Sequence, residues 1–108
     1  MKLIFAIVQN DDAKRLMKVL VANNISVTRI SSTGGFLHSG NATLMIGVEE
    51  GLVQKTLDLI KHHTGTRKEY MVIPPAMPTY SDVASTPVPI TLGGATVFVL
   101  DVESSHKF

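Results

Sequence analysis

The sequence predicts an α+β sandwich in which two helices cover one face of an antiparallel sheet, with the elements ordered βαββαβ. Three observations predict it. Apolar, β-prone runs recur at Leu3–Val8, Ala42–Val48 and Thr96–Leu100. Two intervening stretches place apolar residues at helical spacing. The resulting order of strand, helix, strand, strand, helix leaves a sheet that one further strand completes as a split βαβ sandwich.

Leu3-Ile4-Phe5-Ala6-Ile7-Val8 is apolar throughout, as a strand covered on at least one face is. Asn10, Asp11 and Asp12 offer capping oxygens to a first helix. Its stripe is Ala13, Leu16, Met17, Leu20 and Val21, with Lys14, Arg15 and Lys18 outside it. Asn23-Asn24 stops this helix. Ser26–Ser32 mixes apolar Val27 and Ile30 with Thr28, Arg29 and Ser31, the pattern of a partly covered strand. Thr33–Gly40 reads as a loop and Ala42–Val48 as the third strand. Glu49 and Glu50 suit the positive end of a second helix. Its stripe is Val53, Leu57 and Ile60, joined by Leu52 and Leu59, and Thr64-Gly65 ends it behind Lys61, His62 and His63.

Two segments compete for the remaining place in the sheet, Lys68–Ile73 and Thr96–Val102. Thr96-Val97-Phe98-Val99-Leu100 is the more apolar and suits a central position, so it takes that place. Lys68–Ile73 and Val88–Leu92 become accessory strands. Pro74–Pro89 is a proline-rich loop of a length that is usually functional or disordered.

The chain's 108 residues make one domain, residues 1–108, with no room for a second core. Its 18% charged residues fall below the roughly 25% usual in globular domains, which favours an oligomer that hides part of its surface. A formal charge of +1 with no basic block argues against a DNA or RNA polymer, yet leaves room for a small dianion. The absence of cysteine excludes disulfides and thiolate metal sites. The run Leu3–Val8 is too short to span a membrane, and the polar Gln9-Asn10-Asp11-Asp12 that follows is unlike a signal-peptide cleavage site. A cytoplasmic protein is the expectation.

Nothing in the sequence signals catalysis. Asp11, Asp12, Glu49 and Glu50 stand at helix starts, where capping accounts for them. Asp82 and Asp101 lack an obvious basic partner. His62 and His63 are adjacent on a helix and diverge, so exposed helix-end histidines are the expectation and no metal site. There is no nucleophile-elbow spacing and no phosphate loop with Lys-Ser/Thr after its glycines. No cofactor is expected.

Two glycine pairs carry the binding signal. Thr33-Gly34-Gly35-Phe36-Leu37 and Leu92-Gly93-Gly94-Ala95 each end a strand-like run. Glycine permits positive φ and close approach, and exposed amides in such turns suit phosphate oxygens. Phe36, an aromatic in a polar loop, suits the face of a base, although packing under its own loop or a neighbouring subunit is an equal alternative. Asn24, Thr28 and Asn41 offer neutral donors and acceptors, with cap and turn duty the simpler reading of Asn24. Gly47 interrupts a strand of bulky residues, which marks either a close approach or a packing notch.

Lys2–Gln9, Thr33–Leu37, Gly40-Asn41-Ala42-Thr43, Gly47-Val48, Gly93–Leu100 and the closing His106-Lys107-Phe108 together resemble the PII-like cyclic di-AMP receptor family (PstA/DarA). The likeness runs end to end. It implies a ferredoxin-like subunit in a homotrimer, with cyclic di-AMP bound in the clefts between subunits. A brief Gly34–Gly40 loop and an extended Pro74–Pro89 loop agree with it, where the reverse would suggest the nitrogen-sensing PII proteins.

By position the resemblance implies that Phe36 stacks on an adenine and that Gly35 and Leu37 meet the ligand through backbone. Asn24, Thr28 and Asn41 would contact base or phosphate, and Gly47 would leave space. Gly93, Gly94 and Phe98 would line the site, partly from the neighbouring subunit. The chain departs from the pattern at Ser26, where relatives commonly carry an arginine, and Lys107 stands where a glutamine is often found. A charge-assisted phosphate contact is worth roughly 1.5–3 kcal/mol. Arg29, three residues along the strand, falls on the opposite face. The implied function is signal transduction: the ligand reshapes the two loops and a downstream protein reads them. The alternatives are a trimeric protein-interaction module with weakened or altered nucleotide binding, and a metal-binding relative of the same fold.

Overall fold

The computed structural model describes residues 1–31, 34, 40–72 and 87–108. A four-stranded antiparallel sheet is built from β1 (Lys2–Gln9), β2 (Val27–Ser31), β3 (Asn41–Val48) and β6 (Ala95–Asp101). Their order across the sheet is β2-β3-β1-β6. Helices α1 (Asn10–Ala22) and α2 (Val53–Thr64, entered through a 3₁₀ turn at Glu50–Leu52) pack on one face. Among the described residues, the strands β4 (Arg67–Val72) and β5 (Pro87–Leu92) pair only with each other, as an antiparallel ribbon. The expected accessory strands therefore exist, and residues 87–89 of the expected Pro74–Pro89 loop belong to β5.

Strand parity decides which residues meet the helices. Ile4, Ala6 and Val8 of β1 and Ala42, Leu44, Ile46 and Val48 of β3 are buried beneath them. Ala13, Leu16 and Leu20 of α1, Ile25 and Ile60 complete this aliphatic core. Burying side chains of this size stabilises by about 1.5–3 kcal/mol each. The buried line of α2 differs from the expected stripe: it runs Thr56, Ile60, Thr64, while Leu52 is exposed. The threonines tolerate burial because each hydroxyl donates to the carbonyl four residues back, Thr56 to Leu52 at 2.7 Å and Thr64 to Ile60 at 2.6 Å.

The capping expectation for α1 is also corrected. The helix begins at Asn10, its N-cap is Gln9, and no side-chain cap hydrogen bond is made. Asp12 is instead buried to 1% exposure and binds two guanidiniums. Its carboxylate accepts from Arg15 Nη2 at 2.9 Å and from Arg67 Nη2 at 2.8 Å. The second contact pins the start of the ribbon to α1, and hydrogen bonding to Asp12 raises the Arg67 pKa above its ordinary value. Arg15 also donates to the His63 carbonyl at 3.0 Å, tying α1 to the end of α2. Asp101 does have a basic partner: it pairs with Lys2 directly across the β1–β6 register, which holds its carboxyl below the ordinary value.

The apolar run of β6 does not occupy a central position. Among the described residues it is an edge strand paired with β1, and Phe98, Val99 and Leu100 are each 44–46% exposed.

Burial, reinforced by the positive charges of His62 and Arg15, holds the His63 imidazole below its ordinary 6.5. The unfolded chain thus binds this proton first as pH falls, so His63 removes stability progressively from about pH 6.5 downward. Urea unfolding between pH 7 and 5 should show His63→Gln losing less stability than the parent. A parent slope no steeper than that of the variant would contradict the assignment.

Candidate functional site

The sheet face turned away from the helices is the starting point. Parity places Leu3, Phe5 and Ile7 of β1, Thr28 and Ile30 of β2, Thr43, Met45 and Gly47 of β3, and Phe98 and Leu100 of β6 on this face. It is mostly apolar, contains no charged side chain among these positions, and is packed by neither α1 nor α2, although Ile7 is buried within it. Arg29 stands opposite Leu44, on the helix side, where its guanidinium donates to Asn10 Oδ1 at 3.0 Å. It is committed there.

The expected binding residues separate into two groups at opposite ends of the sheet. At one end, Ser26, Thr28 and Gly47 line a hollow of about 410 Å³ together with Leu3, Met45, Ser104 and Ser105. That volume lies within the range of small-molecule pockets. Asn24 is in the turn that leads into β2, in the left-handed conformation with φ 60°. Asparagine tolerates this region, so the turn itself accounts for the residue type. Gly47 pairs in register with Leu3, without a bulge, and a Cβ built on it would meet nothing within 4 Å. It is no packing notch for its own chain. The space beside it opens to the hollow.

At the other end are Asn41, Gly93 and Gly94. Asn41 lies across from Gln9, and Gln9 Oε1 accepts the Gly93 amide at 2.8 Å. Asn41 Oδ1 is buried with no hydrogen-bond partner among the described residues. An acceptor left in this state costs about 1–3 kcal/mol, and a donor such as an exocyclic amine would satisfy it. The loop that carries Gly35, Phe36 and Leu37 departs from this end of the sheet, but those three residues lie outside the described ones. Phe98, across from Phe5, is intermediate between the two ends.

Asn41 and Gly47 are six residue steps apart along β3, a span of about 20 Å. Among the described residues, the two groups therefore stand apart in one chain.

The glycine pair at 93–94 corrects one expectation. Both residues have positive φ, 84° and 100°, as a turn of this kind requires. Their amides, however, are already donated within the chain, Gly93 to Gln9 Oε1 and Gly94 to the Thr64 carbonyl. They are not exposed donors for a phosphate. What this turn offers a ligand is an absence of side chain. A Cβ on Gly93 would come within 2.6 Å of the Gly65 carbonyl oxygen and 2.7 Å of Arg67 Nη1. A smaller hollow of about 240 Å³ lies beside Gly94, between the end of α2 and the start of β6.

Sequence reasoning missed Gln9, Ser104, Ser105 and Arg67. A polar residue closing an apolar strand was a signal for Gln9. The tail serines and Arg67 gave none, because their partners are distant in the chain. Among the described residues no three His, Cys, Asp or Glu side chains gather into a metal-sized group, and no helix is long and apolar enough to cross a membrane.

Comparison with known proteins decides the family. The sequence matches the family described as cyclic-di-AMP receptor over residues 1–108. The chain belongs to that family. A solved structure of a functionally unknown protein from Pediococcus pentosaceus ATCC 25745 is similar to it, at 42% identity and a TM-score of 0.79. That likeness covers 99% of this chain and 96% of the other. The two-helix, antiparallel-sheet architecture of this cyclic-di-AMP receptor family member is consistent with a ferredoxin-like fold.

The contrast between the glycines is testable. Gly93→Ala should destabilise by more than about 1 kcal/mol, because positive φ and close carbonyl contacts both oppose a Cβ. Gly47→Ala should stay within about 0.5 kcal/mol of the parent. Urea denaturation of the two variants measures this, and a reversed order would contradict the geometry.

Proposed function

We propose that this protein is a non-catalytic cyclic di-AMP receptor, a homotrimer of the PII-like kind whose ligand sites lie in the clefts between subunits. The observation that carries this reading is the separation of the expected contact residues into two groups about 20 Å apart, at the two ends of the sheet. A second copy that covers the face can bring the Ser26–Thr28–Gly47 end of one subunit to the Asn41–Gly93–Gly94 end of another. Heterologous contacts of this type close into a ring when the rotation permits, and three copies are the expectation from the resemblance.

Each residue then has a physical task. Phe36 stacks on an adenine, a contact worth about 1–3 kcal/mol per base. Asn41 Oδ1 takes a donor from the base, Thr28 and Asn24 contact base or phosphate, and Gly35 and Leu37 present backbone groups. Gly47, Gly93 and Gly94 leave room, with Phe98 as an apolar wall. Ligand binding favours one arrangement of the loops at 33–40 and 74–89, which a downstream protein reads in the cytoplasm. Only a difference in affinity between the two arrangements can drive this.

Ser26 favours a second reading. It lines the hollow beside Thr28 without a positive charge, so phosphate is held weakly and the trimer serves chiefly as a protein-interaction module. Calorimetry with cyclic di-AMP and cyclic di-GMP, paired with a light-scattering mass, tests both. The expected result is saturable heat with cyclic di-AMP alone and a mass near three times 11.7 kDa. Ser26→Arg should tighten binding by roughly tenfold to a hundredfold. A monomer, or no heat at millimolar ligand from either protein, would overturn the receptor reading. An undetectable parent with a tightly binding Ser26→Arg variant would favour the second.

A further inference from the structure

We propose that the corner between β1 and α1, formed by Gln9, Asn10 and Asp12, is a positioning element that fixes Gly40 at the base of the Phe36 loop, the glycine turn before β6 and the start of the ribbon relative to one another. The proposal rests on the binding site assigned above. Three separate contacts radiate from four consecutive residues. Gln9 Oε1 accepts the Gly93 amide at 2.8 Å, which fixes the glycine turn before β6. The Asn10 amide donates to the Gly40 carbonyl at 3.0 Å, and a Cβ on Gly40 would lie 2.6 Å from Asn10 Nδ2. That fixes the base of the loop carrying Phe36. Two residues on, the buried Asp12 carboxylate holds Arg67 at 2.8 Å, which fixes the first residue of the ribbon.

The contacts also meet one another. Arg67 Nη1 lies where a Gly93 side chain would begin, so the guanidinium that Asp12 orients forms one wall of the Gly93 turn. Arg29 donates to Asn10 Oδ1 at 3.0 Å and braces the corner from β2. None of these polar groups is needed to cap α1, since that helix has no side-chain cap. Their bonds go to the glycine turn, to β2, to Arg15 and to the ribbon. A shift of Gly40 or of the glycine turn on ligand binding therefore strains or breaks a contact at this corner, and the ribbon start is tied to the same few residues.

Gln9→Met tests the proposal, because it keeps side-chain length while removing the acceptor for Gly93. Amide hydrogen exchange at Gly93, read by NMR on the ligand-free trimer, should quicken by at least about tenfold. Affinity for cyclic di-AMP should fall by about tenfold, with the thermal midpoint within a few degrees of the parent. Gln9→Glu, which retains an acceptor, should restore both readouts. Arg67→Met should likewise quicken exchange at Gly93, although the residue it loses sits on the ribbon. Equal exchange at Gly93 in Gln9→Met and the parent overturns the proposal. So does equal affinity, or a loss that Gln9→Glu fails to restore. A parent that takes no cyclic di-AMP overturns the functional reading instead, and exchange at Gly93 then decides the corner alone.

Discussion

Two helices can cover only one face of a four-stranded sheet, and the other face of this one is built from Leu3, Phe5, Ile7, Met45, Phe98 and Leu100. Everything else in the molecule depends on that imbalance. Phe98 and Leu100 are 46% and 45% exposed, so covering them alone is worth on the order of 1 kcal/mol each. An apolar edge strand such as β6 is normally paired, shielded or charged in a protein that stays single. The face, the edge strand and the low charge content are the features behind the proposal of a further copy of the chain. Thr28 and Gly47, two of the expected contact residues, stand on this face, so the proposed function makes association and ligand binding one problem.

The two ends of the sheet have different chemistry. The Ser26–Gly47 end is an open hollow bounded by hydroxyls and small residues. At the Asn41–Gly93 end the Gly93 and Gly94 amides are already used, and Asn41 Oδ1 is a buried acceptor without a partner among the described residues. An extended ligand with amine donors and phosphate acceptors suits such a pair of ends better than a compact anion does. Family membership points to cyclic di-AMP as the ligand, and the separation of the two ends is what motivates a site shared between chains.

Much of the fold was legible because periodicity is local. The apolar runs marked β1, β3 and β6, and the helical stripe marked α1. Features that failed to show share a cause. Asp12 looked like a cap because its true partner, Arg67, is 55 residues away. Thr56 and Thr64 looked polar because their hydroxyls are satisfied inside α2. Thr96–Leu100 looked central because its apolarity answers to the uncovered face and to an edge, not to two flanking strands. The glycine pair at 93–94 correctly implied positive φ, yet nothing local revealed that Gln9, 84 residues away, takes the amide. For the candidate site, position along the chain identified residues but could not say that they stand at two ends of a sheet.

Mixed trimers offer the most direct test of the composite site. One chain type would carry Phe36→Ala, disabling the loop end, and the other Gly47→Val, filling the hollow at the opposite end. Each pure trimer should fail to bind cyclic di-AMP. If every site joins the loop end of one subunit to the hollow of its neighbour, any trimer containing both types has one junction free of lesions. Equilibrium dialysis of purified mixed trimers should then give one ligand per trimer at parental affinity. Mixed trimers as inactive as the pure ones would mean that each chain builds its site alone, and the account would fail.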